Sequence, residues 1–82
     1  MKVKIGEVSH YFNRIGVAVV KLREEMKLGD QISFLGYTTD FDQIVTSLEI
    51  DHKKVDSVKP GDDFAIKVLD KVRQGDGVYK EV

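Results

Sequence analysis

The chain is expected to be an all-β protein, a six-stranded closed β-barrel, on three observations. Short runs rich in β-branched residues recur at near-regular spacing along its 82 residues. Each run is bounded by glycine, proline or aspartate, the residues that turn a chain. No stretch sustains the apolar period of a helix long enough for one to stand without packing. A chain of this size has room for one core, so residues 1–82 are read as a single domain. Closing the sheet into a barrel would remove the exposed edges that six strands otherwise present.

The elements follow in order. Val3 and Ile5 share one side of the first strand and Val8 takes the opposite phase, which places a bulge near Gly6. His10 to Arg14 reads as the end of that strand and a hairpin connection. Ile15 to Val20 is nearly continuous in apolar character, the pattern of a central strand covered on much of both faces. Lys21 to Lys27 reads as a strand end and loop with at most one helical turn. In the third strand Ile32 and Phe34 face one way, and Gln31 and Ser33 the other. Thr38-Thr39-Asp40 forms a corner held by side chains bonding to nearby backbone. The fourth strand is placed from about Phe41 to His52, with Ile44, Leu48 and Ile50 on a dry face and Gln43, Ser47, Glu49 and Asp51 on a wet one. Val55 to Asp62 is a connection ending in a Pro60-Gly61 turn. Phe64, Ile66 and Val68 give the fifth strand, and Val78 to Val82 the sixth.

A Gly-Asp pair occurs three times, at Gly29-Asp30, Gly61-Asp62 and Gly75-Asp76. Turn chemistry explains it: glycine takes a positive φ and aspartate caps free amides. The alternative is a calcium or magnesium site built from Asp30, Asp62, Asp63 and Asp76, although the dense alternation of a calcium loop is missing.

Composition limits the functional classes. A net charge of -1 argues against nucleic-acid binding through bulk basicity, while leaving room for a local basic patch. With no cysteine, disulfides and thiolate zinc sites are excluded. His10 and His52 are the only histidines and lack ligand spacing, so no metal and no cofactor are expected. Ser9 and His10 are adjacent on a strand and point to opposite faces, which rules out a nucleophile–base pair there. No catalytic residue is found, and the chain is not expected to be an enzyme. No window is apolar enough to cross a bilayer, and Met1-Lys2-Val3-Lys4 does not begin a signal core, so a cytoplasmic protein without a membrane partner is expected.

Three exposed clusters are candidate binding groups. His10, Tyr11, Phe12 and Arg14 combine rings with a guanidinium, a set that stacks on unpaired bases and meets phosphate. The alternative is that Tyr11 or Phe12 plugs a barrel end. His52, Lys53 and Lys54, together with Lys67, Lys71, Arg73 and Lys80, would make one basic face if the fold gathers them; otherwise they are a solvated surface. Thr38, Thr39 and Asp40, between Tyr37 and Phe41, make either a recognition corner or a self-bonded turn with Phe41 in the core.

Taken together, Ile5-Gly6-Glu7-Val8, Ile15 to Val20 and Met26 to Gly36 resemble the opening hairpin and the lysine-hydrophobe-Gly-Asp turn of the second domain of elongation factor Tu. Val45 to Ile50 and Val55 to Ala65 resemble that domain's second half. The resemblance covers nearly the whole chain and implies a barrel of the reductase/elongation factor type. It also implies a role in holding the end of a transfer RNA or in contacting ribosomal RNA. Where the family has an acidic residue beside the aminoacyl pocket, this chain has Ser57. It has no Gly-rich phosphate loop, so no nucleotide is expected. The Gly36 to Phe41 corner is more similar to small stand-alone elongation-factor-like proteins and to barrels appended to collagenase-like peptidases. The expected function is therefore a non-enzymatic binding module for RNA or the translation apparatus. The alternative is a protein-interaction module that docks a peptidase-like enzyme through the Tyr37 to Phe41 corner.

Overall fold

The computed structural model describes residues 1–82. All regular structure is β, as expected, but the strands number ten: β1 (Lys2–Phe12), β2 (Val17–Leu22), β3 (Met26–Lys27), β4 (Gln31–Leu35), β5 (Asp40–Ile44), β6 (Leu48–Ile50), β7 (Lys53–Val55), β8 (Ser57–Val58), β9 (Phe64–Lys67) and β10 (Gly77–Glu81). Eight of them form one antiparallel sheet in the order β5-β4-β10-β1-β2-β9-β6-β7, and β3 pairs with β8 in a separate ribbon. The closed six-stranded barrel is thus corrected to an open half-barrel, with β5 and β7 at its two edges.

The reason lies in residues 40–58. The single strand expected from Phe41 to His52 breaks after Ile44, because Val45 turns into the core and its amide donates to the Asp30 carbonyl while its carbonyl accepts from Gly29. The chain then re-enters the sheet as β6, next to β9 and not beside β5. Phase inverts as well: Ile44 is exposed, whereas Gln43 is buried. The Gln43 amide donates to the Lys67 carbonyl and accepts from the Leu69 amide, both at 2.9 Å. One side chain therefore satisfies a carbonyl at the last residue of β9 and an amide just past it, so a polar residue inside costs no orphaned group. Residues 51–52 then form a two-residue hairpin between β6 and β7, with Asp51 at φ 51° and His52 at φ 63°. Positive φ at both central positions is the type I′ geometry that matches strand twist.

β1 carries two bulges, one against β10 between Lys4 and Gly6, as expected, and one against β2 between Val8 and His10. They explain the change of phase: Ile5, Val8 and Tyr11 all turn inward at intervals of three, each interval containing an extra residue. At Gly6 a Cβ would strike the Lys21 carbonyl oxygen of the neighbouring strand, so only glycine fits the bend. The core lies in the concavity of the sheet and is closed over by the β3–β8 ribbon, whose Met26 and Val58 are buried with Phe34, Phe64, Ile32 and Ile66. No helix forms between Lys21 and Lys27.

The three Gly-Asp pairs are one device used three times. Gly29, Gly61 and Gly75 stand at φ 90°, 95° and 94°. The amides of Asp30, Asp62 and Asp76 donate back to the carbonyls of Lys27, Lys59 and Arg73. In return, the aspartate carboxylates accept from the amides of those same three residues, at 2.9, 2.9 and 2.8 Å. Glycine at the third position and a closing hydrogen bond are the marks of a type II turn. The four aspartates of the alternative cation site do not converge: no group of three or more acidic or histidine side chains is placed to hold a metal ion.

On the outer side of β5, Asp42 accepts from the Ser33 hydroxyl at 2.6 Å and from the Lys2 ammonium at 3.3 Å. These contacts, the hydroxyl first, hold its carboxyl below the usual carboxylate value. A depressed pKa stabilises the fold above the ordinary value, and that contribution is lost as pH falls through the lower folded value. Asp42→Asn is therefore expected to melt slightly below the parent at pH 7 in low salt. The gap should close as the pH is taken beneath about 3.9, the ordinary carboxylate pKa. Thermal unfolding of both proteins across that range checks the sign, and a gap that widens in acid would contradict it.

Candidate functional site

The register places alternate residues of β2, β9, β6 and β7 on the outer face of the sheet. Val17 lies opposite Lys67, Val19 opposite Ala65, Ala65 opposite Glu49, and Glu49 opposite Lys54. Ala18, Val20, Phe64, Ile66 and Leu48 take the inner face and are buried. Along this outer band the structure has a groove of about 600 Å³ lined by Phe12, Ile15, Val17, Ser47, Glu49, His52, Lys54, Ala65 and Lys67. At its apolar end Phe12 is 45% exposed and Ile15 64%, both at the β1–β2 turn. That turn is fixed by the amides of Ile15 and Gly16 donating to the Phe12 carbonyl, and by the Val68 amide donating to the Gly16 carbonyl. His10 stands edge-on to Phe12 with ring centroids 4.4 Å apart, which holds the phenyl ring in place.

The expected clusters are therefore partly regrouped. His10 and Phe12 belong to strand β1 and not to a hairpin loop; His10 is exposed beside the groove and Phe12 lines it. Tyr11 points the other way and packs against the core, so it cannot share a stacking surface with Phe12. Arg14 is exposed in the turn and does not line the groove. His52 and Lys54 come to the groove from the β6–β7 hairpin, while Lys53, next in sequence, projects to the opposite side of β7.

The single basic face does not form. Lys67 joins Lys54, but Lys71 and Arg73 line a separate hollow of about 400 Å³ with Thr38, Thr39, Asp40, Phe41 and Asp70. Lys80 pairs with Asp30 at 3.2 Å. In that second hollow the charges balance, two carboxylates against two cations. Thr39 is not available to a ligand, since it is buried and its hydroxyl donates to Asp76. Phe41 packs inward as expected, stacked on Phe34 at 5.1 Å. The corner, however, is closed by the Gly36 amide donating to the Thr39 carbonyl and by Thr39 bonding to Asp76, not by side chains bonding to nearby backbone; Tyr37 is left fully exposed at the tip.

Sequence reasoning did not single out Ile15, Val17 or Ala65 as surface. The run Ile15 to Val20 reads as continuously apolar, and only the inward phase of Ala18 and Val20 shows that Val17 and Val19 turn outward.

No protein family model matches the chain. Its sequence is 37% identical over 79 residues to an uncharacterized protease of Methanocaldococcus jannaschii, a match spanning 95% of this chain and 19% of that protein. It is 32% identical over 81 residues to a collagenase of Porphyromonas gingivalis, spanning 96% of this chain and 20% of that protein. The chain thus spans about one fifth of the length of the curated relatives it matches. Among solved structures it superimposes on the C-terminal domain of a candidate U32 peptidase from Geobacillus thermoleovorans with a TM-score of 0.88 and 23% identity, covering 96% of this chain and 92% of that one. A selenomethionine variant of the same domain gives 0.86. These relatives carry the collagenase-like side of the resemblance; the elongation-factor side, and with it transfer RNA and ribosomal RNA, draws no support from them. In fold the chain is of the U32 peptidase C-terminal-domain type, and in sequence it is similar to a stretch of the protease and the collagenase just named.

Proposed function

We propose that the chain is a non-catalytic module that docks a peptidase-type catalytic domain, whether that domain belongs to the same polypeptide or to a separate one. The observation that carries this reading is the pattern of the matches. Nearly all of this chain aligns with one fifth of a protease and of a collagenase, and its fold is that of a domain crystallised apart from the rest of a peptidase. The geometry supports it. The most developed surface feature is an open groove with a half-exposed aromatic and an exposed isoleucine at one end, the kind of patch that a partner covers. The Tyr37–Phe41 corner, the docking surface expected from the sequence, is the weaker candidate: Tyr37 is exposed, but Thr39 is committed internally and Phe41 stacks on Phe34.

The test is binding in trans. The Methanocaldococcus jannaschii protease, with its own matching segment deleted, is titrated with this 82-residue chain in a calorimeter. A saturable one-to-one heat is expected. Because apolar burial is nearly athermal around 25 °C but not away from it, the titration is run at two temperatures. No heat at either, with protein at about 100 μM, a range that resolves weak domain contacts, would contradict the reading.

A further inference from the structure

The outer-face groove has a shape and a charge pattern that bear on how the module would meet a catalytic domain; the inference from them rests on the docking function proposed above. The groove crosses β1, β2, β9, β6 and β7, which are consecutive neighbours in the sheet. Four inter-strand steps of about 4.8 Å make a track of roughly 19 Å, the length of an extended segment of about six residues. At one end of the track are Phe12 and Ile15; Val17, Ala65 and Lys67 lie along its floor, Lys67 directly across from Val17, and at the other end are Lys54 and His52. Neither Lys54 nor Lys67 takes part in any ion pair within the chain, whose salt bridges all involve Met1, Lys2, Lys4 or Lys80. Glu49 is the one acidic residue in the lining and lies across from Lys54. Cations therefore outnumber anions in the groove although the chain as a whole carries -1.

We infer that the groove binds an extended segment of the catalytic domain that carries a bulky apolar side chain at one end and carboxylates along the rest. The apolar side chain covers Phe12 and Ile15. The carboxylates meet Lys67 and Lys54, with His52 adding a donor at the far end. An apolar anchor supplies the affinity, and charge complementarity sets the direction in which the segment lies.

Four proteins test this in the titration described above: the parent, Ile15→Asp, the double variant Lys54→Glu with Lys67→Glu, and Leu69→Asp. Leu69 is 76% exposed and lies outside the groove, so its variant removes comparable apolar surface elsewhere. All four positions are on the surface, and thermal unfolding verifies that each variant folds. Ile15→Asp and the double charge reversal are each expected to raise Kd at least tenfold. The parent's Kd should also rise with added salt, whereas Leu69→Asp binds as the parent does. If the parent binds and the groove variants bind equally well, or if Leu69→Asp is weakened as much as Ile15→Asp, the groove assignment is overturned and the docking function stands. If the parent does not bind, both fall. A concentration-dependent dimer of the chain alone, abolished by Ile15→Asp in sedimentation, would assign the groove to a second copy and overturn the inference.

Discussion

Asp76→Ala should destabilise the protein by about 3 kcal/mol, while Asp62→Ala, the same substitution in the same kind of turn, should cost no more than about 1 kcal/mol. The difference is burial. Asp62 caps one amide at the surface. Asp76 is 6% exposed and its carboxylate accepts from both the Thr39 hydroxyl and the Arg73 amide. The same residue's carbonyl accepts from the Val8 amide, and the Gly75 amide donates to the Val8 carbonyl, so the turn is pinned on β1 beside the second bulge. Alanine would leave a buried hydroxyl and an amide without their charged acceptor, in a place water reaches poorly. For a domain of this size a loss of about 3 kcal/mol lowers the melting temperature by roughly 12–24 °C. Gly36 belongs to the same node, since a Cβ there would collide with the Asp76 carboxylate. Gly36→Ala and Asp76→Ala are therefore expected to be less than additive. Urea unfolding of the singles and the double measures this, and equal costs for Asp76→Ala and Asp62→Ala would refute the assignment of Asp76 as a buried pin.

The second large effect belongs to Phe34. It is fully buried on β4, stacked on Phe41 at 5.1 Å, and among the largest side chains of the core. Phe34→Ala is expected to cost about 3–5 kcal/mol, as the transfer and cavity terms add. At about 0.05–0.15 kcal/mol per residue the whole domain is held by roughly 4–12 kcal/mol, so the variant stands near the threshold of unfolding. Phe12→Ala, on the other side of the sheet, removes the same ring from a half-exposed position and should cost less than about 1 kcal/mol. Denaturant midpoints for the pair test which face is core; similar losses would mean that Phe12 is part of the packing and not of a docking surface.

Much of the fold could be read before the structure. The alternation of Phe64, Ile66 and Val68, the inward Ile32 and Phe34, the bulge at Gly6 and the three glycine-aspartate turns all follow from local chemistry, and local chemistry decided them. What failed was the stretch from Phe41 to Val58, where tertiary partners override the pattern. Periodicity assigns glutamine to the wet face, but Gln43 goes inside because two backbone groups next to β9 need its amide. The Asp51-His52 hairpin carries no glycine, so its positive φ angles leave no signature stronger than the tolerance of aspartate and histidine for that region. Without that hairpin the count of strands, and with it the closure of the barrel, could not come out right.

The candidate site was legible in pieces. His10, Phe12, His52 and Lys54 were all singled out, yet nothing local says that two segments forty residues apart share one face of the sheet. Only the pairing of β9 with both β2 and β6 brings them together. Conversely, Tyr11, Lys53 and Thr39 were grouped with their sequence neighbours although strand alternation and burial separate them.

The most direct test of the docking account is an NMR titration of the ¹⁵N-labelled chain with the Methanocaldococcus jannaschii protease lacking its matching segment. The account predicts amide shifts and broadening concentrated at Phe12, Ile15, Val17, Ala65, Lys67 and Lys54, with the Thr38–Asp40 corner and the Gly61-Asp62 turn unmoved. Perturbations centred on that corner, or none anywhere at saturating partner, would contradict it.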